Sequence, residues 1–483
     1  MKKYISVKEI ANQWGVSNVW VTALCASGRV EGSFKNKGKW LIPYDSKKPK
    51  PKKRKKVKVH NVNAKFTFID LFAGIGGFHQ AMRYLGGECI MAAEINKACV
   101  ETYNMNFKTY EGDIFGDVNK IKPKEIPKFE VLCAGFPCQP FSKAGQQKGF
   151  DDEKQGGLFY KIMDILDVHT EVEFVVLENV RNLADKTENW DVIKTELLKR
   201  DFIITKDALI LSPSNFGLPQ IRERVYILGI KKQCCEDKIV EQGFIDKSDL
   251  CLEKHFKKCR IGDALRILDE DVSNDYLVSE EQALMINAWD EFRIKTGIKV
   301  IGFPIWISCF GVGIDNDEDL RESVKYYDMP DWKKGFVDKN RNFYLLNRDF
   351  IDDWIERYDM LNRIKLYQKF EWNCGSDITD MHEAIIQIRQ SGIRCKRNTY
   401  FPSLVAIVNT PIIWDKQKKA YRHISPREAA NLQNFNKRYK FSGTDKQIYR
   451  QLGNSVNVRV LKILCSNLFK LQRRKDFKDG EKD

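Results

Sequence analysis

Four side chains capable of chemistry follow or precede short apolar runs in this sequence. Cys138 lies in GFPCQPFS, directly after VLCA, in a loop that two prolines make stiff. Glu178 follows the run FVVL, and Arg222 and Arg224 in QIRER lie at the start of RVYILGI. A thiolate near cations is a nucleophile, and a buried acid needs a hydrogen bond or a charged partner. An isolated cysteine is, however, more often a small core side chain, and such arginines also occur at solvated strand edges.

A glycine-rich turn supplies a second kind of chemistry. The segment DLFAGIGGF, residues 70–78, follows a strand pattern and opens a helix pattern. Its glycines let the backbone approach a ligand at the carboxyl end of the strand. The spacing is not GxGxxG, so a dinucleotide is not the first expectation. Glu94 in MAAEIN is placed to accept ribose hydroxyls and Asp113 in GDI to accept an exocyclic amine, which together favour an adenosine-type cofactor. Each of these signals alone is often structural.

The sequence around these residues alternates between strand patterns and helix patterns. The runs FTFIDLF, CIMAAEI, VLCAGF, FVVLENV and RVYILGI are typical of strands buried on both faces of a mostly parallel sheet. They predict a doubly wound α/β domain over residues 65–231. Residues 232–400 have mixed patterning, with five tryptophans from Trp289 to Trp372, and predict a separate irregular domain. The α/β pattern returns at 401–470, and 471–483 form a charged tail.

The N-terminal region has a different character. Residues 5–29 predict two short helices, the first capped by Ser6 with Glu9 and ended by Gly15. FKNKGKWLIP predicts a hairpin with Lys-Gly at its tip. The arrangement over residues 1–45 resembles a small winged helix-turn-helix DNA-binding module, although similar shapes also occur as plain packing modules.

Composition and charge limit the function classes. The chain has 483 residues, which predicts two or three domains, and no run long enough for a membrane helix or a signal peptide. Its 13 cysteines lack disulfide spacing, which predicts reduced thiols in the cytoplasm. Residues 1–60 hold 16 Lys and Arg against 3 Asp and Glu, so they carry +13 of the net +15. Residues 46–64 form a Lys/Pro linker, and this block predicts nucleic acid as partner.

Six motifs taken together resemble, in the same order, those of the DNA cytosine-5 methyltransferases. They are FIDLFAGIGGF, GFPCQPFS, ENVRNL, QIRERVYILG, ISPREAANLQNF and QLGNSVNVRVL. The resemblance covers about residues 65–231 and 400–470. It implies a Rossmann-like, S-adenosylmethionine-dependent methyltransferase sheet, with residues 232–400 as target-recognition domain and the last motif completing the cofactor pocket.

The resemblance also implies a role for each catalytic residue. Cys138 adds as thiolate to carbon 6 of cytosine, which activates carbon 5 for methylation. Glu178, protonated, holds ring nitrogen 3 and the exocyclic amine, while Arg224 holds the ring carbonyl oxygen and Arg222 steadies the site near Cys138. The target base must be flipped out of the duplex.

The cofactor residues are carried over by the same resemblance. Those implied to contact or shape S-adenosylmethionine are Phe72, Gly74, Ile75, Gly76, Gly77, Glu94, Ile95, Asp113, Ile114, Pro137, Leu158, Asn454 and Ser455. No metal is expected. The spacing of Cys251, His255 and Cys259 would put them on one helical face, but it lacks the paired cysteines typical of zinc sites.

The resulting expectation is a monomeric bacterial or phage enzyme that methylates double-stranded DNA in the cytoplasm, near the nucleoid. A cognate restriction endonuclease acting on the same site would be its partner in a restriction-modification system. Two alternatives stay open: a sequence-specific DNA-binding regulator with secondary methylation activity, and an RNA cytosine-5 methyltransferase. The absence of an RNA module and the long variable region weigh against the latter.

Overall fold

The computed structural model divides the chain into two compact units, residues 1–57 and 58–483. It describes residues 4–26, 29–36, 38–49, 64–107, 114–137, 156–297, 303–404 and 410–473. Cys138, Asp113, most of the predicted linker and most of the charged tail lie outside these ranges. Among the described residues, no helix is both long and apolar enough to cross a lipid bilayer.

The first unit contains the predicted two helices and hairpin. Its elements are β1 (Tyr4–Ser6), α1 (Val7–Trp14), α2 (Asn18–Ala26), β2 (Phe34–Asn36) and β3 (Lys39–Pro43). Ser6 and Glu9 form the predicted capping box of α1, and Gly15 ends the helix in the left-handed conformation at φ 63°. The three strands pair in the order β1-β3-β2 around a small core that includes Ile10 and Val21.

The second unit begins with a doubly wound α/β layer. Its strands are β4 (Phe66–Leu71), β5 (Gly87–Ala93), β6 (Val131–Ala134), β7 (Phe174–Val180), β8 (Phe202–Ile204), β9 (Leu209–Leu211) and β10 (Arg224–Lys231). Its helices are α3 (Gly77–Tyr84), α4 (Lys97–Asn106), α5 (Gly156–Val168), α6 (Asn182–Asp185) and α7 (Thr187–Leu198). The strand order is β5-β4-β6-β7-β10-β8, with β9 paired to β10. Strands β5, β4, β6 and β7 are parallel, whereas β10 is antiparallel to its neighbours.

The five predicted strands are therefore present, and four of them are buried along nearly their whole length. Buried faces on both sides explain their continuous apolar runs. The carboxyl ends of β4, β5, β6 and β7 meet at one edge of the sheet, where the motifs lie.

The variable region is more regular than its mixed patterning predicts. It contains α8 (Asp237–Gln242), α9 (Glu280–Lys295), β11 (Ile305–Trp306), α10 (Asp317–Ser323), α11 (Asp331–Leu346), α12 (Arg348–Tyr358), β12 (Lys369–Asn373), β13 (Ile385–Arg389) and β14 (Gly392–Lys396). The helices pack on a sheet through a core that includes Trp289, Trp354 and Trp372. The expectation of an irregular domain was wrong because helices such as α11 carry many charged residues between their few buried ones.

The C-terminal segment contributes to both the α/β layer and the variable-region sheet. Strands β15 (Ile412–Asp415) and β16 (Ala420–His423) extend the variable-region sheet, whose order is β11-β12-β14-β13-β15-β16. Helices α13 (Pro426–Leu432), α14 (Asp445–Asn454) and α15 (Val458–Leu468) follow. Helix α15 packs in one core with residues of α3 and β4. The last motif thus returns to the glycine-rich turn near the start of the unit.

Candidate active site

A cleft of about 520 Å³ lies at the carboxyl ends of the four parallel strands. Its walls come from the turns after β4, β5 and β6, from the end of β7, from the start of β10 and from the end of α14. The lining residues are Phe72, Gly74, Ala93, Glu94, Ile95, Asn96, Cys99, Gly116, Asp117, Val118, Asn119, Gly135, Phe136, Pro137, Leu158, Glu178, Asn179, Val180, Arg222, Arg224, Gly453 and Asn454. This is the crevice in which an open α/β sheet binds its ligands.

The glycine-rich turn brings bare backbone to the cleft. Phe72 and Gly74 both have positive φ, 56° and 55°, and no atom lies within 4 Å of the position that a Cβ on Gly74 would take. Positive φ at a bulky residue such as Phe72 stores strain of the kind found at functional sites. Below the turn, the fully buried Asp70 accepts a hydrogen bond from the backbone N–H of His79 at 3.3 Å, which fixes the start of α3.

Glu94 connects the first two turns of the site. One carboxylate oxygen accepts a hydrogen bond from the Gly74 N–H at 2.9 Å, and the other accepts one from the Asn96 N–H at 2.7 Å. A half-buried carboxylate that lines the cleft also offers acceptor lone pairs to ligand hydroxyls. Together, the open backbone at Gly74 and this carboxylate fit the adenosine-type cofactor that the sequence predicts.

Glu178 and Arg224 face each other across the antiparallel pair of β7 and β10. Arg224 Nε lies 3.1 Å from Glu178 Oε1, yet the two atoms are not aligned for a hydrogen bond. Glu178 is 8% exposed, and burial raises the pKa of its carboxyl while Arg224 and Arg222 act in the opposite direction. The carboxyl therefore retains its proton to a higher pH than an exposed glutamate and is able to donate a hydrogen bond into the cleft.

Arg222 holds three separate segments together. Its guanidinium donates to the carbonyl oxygens of Gly453 and Ser455, both at 2.8 Å, and to that of Leu404 at 3.0 Å. Its backbone N–H donates to Ser212 Oγ at 3.0 Å. Arg222 is 3% exposed, so its donors satisfy carbonyl groups that would otherwise be buried without partners.

The turn that leads to Cys138 is anchored to the neighbouring strand. Asn179 is 1% exposed, and its side-chain N–H donates to the Phe136 carbonyl oxygen at 3.3 Å. Pro137, the next residue, lines the cleft. Cys138 lies outside the described residues, so the position of its sulfur stays a prediction, as does that of Asp113.

The structure brings many of the predicted site residues together but not all of them. Those that line the cleft are Phe72, Gly74, Glu94, Ile95, Pro137, Leu158, Glu178, Arg222, Arg224 and Asn454. Ile75, Gly76, Gly77, Ile114 and Ser455 are not on its wall. Ile75 and Ile114 are buried in the core below, and Gly76 and Gly77 pack closely against Phe107 and Val456.

Several polar residues of the cleft were not predicted. They are Asn96, Asp117, Asn119 and Asn179. Asn179 follows Glu178 directly in the ENV motif, so its position at a strand end was a usable signal. Asp117 and Asn119 follow no recognisable pattern; Asp117 caps a short turn by accepting from the N–H of Asn119 at 3.0 Å.

The cysteine and histidine spacing after residue 250 does not build a helical face. Only Leu252–His255 is helical there, as a single 3-10 turn; Cys251 is exposed and Cys259 is buried. Within the described ranges, no group of three or more His, Cys, Asp and Glu side chains is arranged to hold a metal ion.

Comparisons with known proteins concern the second unit. Residues 66–470 match the family model of the C-5 cytosine-specific DNA methylases. The Type II methyltransferase M.AluI of Cellulosimicrobium cellulans is 31% identical over 482 residues, covering 83% of this chain and 91% of its own length. M.BanI of Aneurinibacillus aneurinilyticus, also a Type II methyltransferase, is 30% identical over 438 residues, covering 84% and 96%. The crystal structure of the S. pombe Dnmt2 methyltransferase shares the fold, with TM-score 0.50 at 16% identity over 84% of this chain and 99% of that one.

Proposed function

The chain belongs to the C-5 cytosine-specific DNA methylase family, and from that premise we propose that it methylates carbon 5 of a cytosine within a specific duplex DNA sequence. The methyl donor is S-adenosylmethionine, and the enzyme serves a restriction-modification system, as the Type II names of its relatives suggest. The observation that carries the proposal is the buried Glu178 carboxyl beside Arg224 in the same cleft as the glycine-rich turn.

The cofactor proposal depends on the fit of the cleft to an adenosine moiety. Gly74, with its open backbone, lines the cleft together with Glu94, Phe72 and Asn454. Glu94 would accept the ribose hydroxyls and Phe72 would lie against the adenine. When bound, S-adenosylmethionine supplies an electrophilic methyl group. Ile75, Gly76, Gly77, Ile114 and Ser455 would shape this site without lining the cleft, and Asp113 and Ile95 would contact the adenine.

The chemical steps require a nucleophile, an acid and a cation. The Cys138 thiolate forms a bond to carbon 6, and the ring electrons that this addition releases make carbon 5 nucleophilic. Carbon 5 would take the methyl group that S-adenosylmethionine supplies, with S-adenosylhomocysteine as the leaving group. The proton on carbon 5 would then pass to solvent, and the electrons of that C–H bond would re-form the ring double bond as the bond between sulfur and carbon 6 breaks and the Cys138 thiolate leaves. Base flipping is necessary because the thiolate and the methyl donor must approach carbon 6 and carbon 5 from the faces of the ring, which the neighbouring bases cover in the stacked duplex.

Glu178 and Arg224 would stabilise the charge that develops in the ring. The protonated Glu178 carboxyl donates to ring nitrogen 3, and its other oxygen accepts from the exocyclic amine. The Arg224 guanidinium donates to the ring carbonyl oxygen. The raised pKa of Glu178 supports this assignment because only the protonated form has a donor.

A second function, DNA binding by the N-terminal unit, is favoured by its element order and its charge. Two helices joined at Gly15 precede a hairpin, and the basic segment 46–64 follows. We expect a winged helix-turn-helix that binds an operator or keeps the enzyme on DNA. Deleting residues 1–60 separates the two roles: unchanged methylation specificity and affinity would assign the unit to regulation.

The proposed activity is tested by incubating the full chain with radiolabelled S-adenosylmethionine and unmethylated duplex DNA. Labelled 5-methylcytosine is expected in the nucleoside digest, and none with Cys138→Ser. Label in a parallel reaction with transfer RNA, and none in DNA, would favour the RNA alternative. Label in neither would contradict the proposed function.

A further inference from the structure

The variable-region sheet has one apolar and one charged face. Residues directly opposite each other on paired strands point to the same face. Phe370, Ile393 and Ile388 share the face that packs in the tryptophan core. The opposite face carries Glu371 on β12, Arg394 on β14 and Gln387 on β13 as one row of opposed residues.

Further cations flank this row. Lys396 is two residues from Arg394 on β14, and Arg389 is two residues from Gln387 on β13, so both share the charged face. Lys369 on β12 is opposite Gly392, the residue that also faces Arg389. Gly392 has φ 117°, and a Cβ there would lie 2.5 Å from the Cβ of Lys369.

These charges are poorly balanced. Arg394 is neutralised by Glu371 through contacts of 2.6 and 2.9 Å. For the other cations, Lys369, Arg389 and Lys396, the described part of the chain offers no hydrogen bond or ion pair to the charged group. Burial and the nearby Arg394 lower the pKa values of both Arg389 and Lys396. A half-buried, crowded group of cations is stabilised by an anion brought from outside.

The charged face extends to an aromatic residue at the sheet edge. Trp306 on β11 is opposite Lys369, and Lys333 Nζ lies 5.9 Å from its ring centre. Trp306, Lys369, Arg389 and Lys396 are all partly exposed. The row therefore offers cations along three neighbouring strands, β12, β14 and β13, which fits an extended anionic polymer better than a single small anion.

A short segment of chain connects the charged face to Arg222, which lines the cleft. Strand β14 ends at Lys396, and the chain then runs directly to Ser403 and Leu404, which accept hydrogen bonds from Arg222. Ile385, opposite Lys396, packs in the same core as Leu404. The end of the face at Lys396 is thus linked by both chain and core packing to the segment that Arg222 holds.

We propose that the charged face formed by Lys369, Arg389, Arg394 and Lys396 binds the phosphate backbone of the duplex DNA substrate and holds it over the cleft. The inference rests on the proposed function. These contacts set the register of the duplex and carry no base specificity of their own.

The test measures binding of the full chain to unmethylated duplex DNA by fluorescence anisotropy over a series of salt concentrations. Each phosphate contact contributes about −0.9 to the slope of log K against log salt. Arg389→Gln and Lys396→Gln should each weaken low-salt binding several-fold and make the slope less steep by about one. Glu371→Gln should have the opposite effect on affinity because it removes the carboxylate from this face.

Matched controls are exposed cations outside the variable-region sheet. Arg83, in the last turn of α3, and Lys124, before the amino end of β6, are exposed. Arg83→Gln and Lys124→Gln should leave the slope unchanged. Melting temperature and S-adenosylmethionine affinity equal to those of the wild type would show that each variant is folded.

Wild-type slope and affinity in Arg389→Gln and Lys396→Gln, with methylation intact, would overturn the inference. The inference would also be overturned if these two substitutions weakened binding to single-stranded RNA but left binding to duplex DNA unchanged. A wild-type chain that neither binds nor methylates duplex DNA would instead contradict the proposed function, so the two failures are distinguishable.

Discussion

The guanidinium of Arg222 donates a 2.8 Å hydrogen bond to the carbonyl oxygen of Ser455, 233 residues later in the chain. The same guanidinium holds Gly453, the neighbour of the cleft-lining Asn454. Arg222, just before β10, thus fixes the end of α14, where Gly453 and Asn454 line the cleft. We regard Arg222 as a positioning residue, in contrast to Arg224, whose side chain faces Glu178.

This distinction predicts that replacement by lysine has different effects at Arg222 and at Arg224. Arg222→Lys removes the forked donation to Gly453 and Ser455, and hydrogen bonds from charged groups contribute about 1.5–3 kcal/mol. The dissociation constant of the Arg222→Lys variant for S-adenosylmethionine should therefore rise at least about tenfold. Arg224→Lys should leave that constant near the wild-type value and lower kcat. Calorimetric titration and single-turnover kinetics would measure both, and equal loss of cofactor binding in the two variants would count against the distinction.

The buried acid predicts a pH dependence. Burial raises the pKa of Glu178, so its protonated form persists above the usual carboxylate range and is lost as pH rises through the raised value. Single-turnover rates should therefore fall on the alkaline side. Glu178→Gln should lower kcat by about 10²–10⁴ and should lack that alkaline decline. An unchanged decline in the glutamine variant would assign it to another group.

The glycine-rich turn predicts unequal tolerance of two alanines. A Cβ at Gly77 would lie 2.5 Å from Val456 Cγ2 and 3.1 Å from the Val456 carbonyl oxygen, so Gly77→Ala must displace Val456, the neighbour of Ser455. Gly74→Ala meets no atom within 4 Å and suffers only the strain of positive φ, about 1–2 kcal/mol. Gly77→Ala should therefore lose the greater part of cofactor affinity. Titration with S-adenosylmethionine that ranks Gly74→Ala as the weaker binder would contradict this prediction.

A buried ion network predicts a stability effect outside the cleft. Arg422 and Glu428, 1% and 0% exposed, form two hydrogen bonds of 2.8 Å, and Arg422 also pairs with Asp415 at 2.6 Å. Removing one member of a buried pair costs about 3–5 kcal/mol. Glu428→Gln should lower the melting temperature by several degrees, whereas Glu270→Gln, at an exposed site, should not. If calorimetry gave Glu428→Gln the same melting temperature as the wild type, the contribution of this ion network to stability would be refuted.

Sequence patterns predicted the main sheet because its strands are buried on both faces and give continuous apolar runs, as in FVVLENV. They also predicted that Glu94, Glu178 and Arg224 belong to the site, because each of these residues stands at the end or the start of an apolar run within a motif. The pairing of Ile386 with Ile412, which joins the variable region to the C-terminal segment, left no local pattern.

The roles that depend on distant contacts could not be predicted either. QIRER gives no indication that Arg222 reaches Gly453 and Ser455, because those contacts exist only once the folded chain brings the end of α14 to Arg222. The same holds for the charged face. Arg389 and Lys396 appear in the sequence as two cations among many, and the antiparallel register of β13 and β14 brings them onto one surface.

Methylation of carbon 5 through Cys138 can be tested by bisulfite sequencing of DNA from cells that express this chain or its Cys138→Ser variant. Protected cytosines in one short sequence context are expected with the wild-type chain, and complete conversion is expected with the serine variant. Complete conversion with both chains would contradict the enzymatic account, and protection that persists in the serine variant would contradict the role of Cys138 as nucleophile.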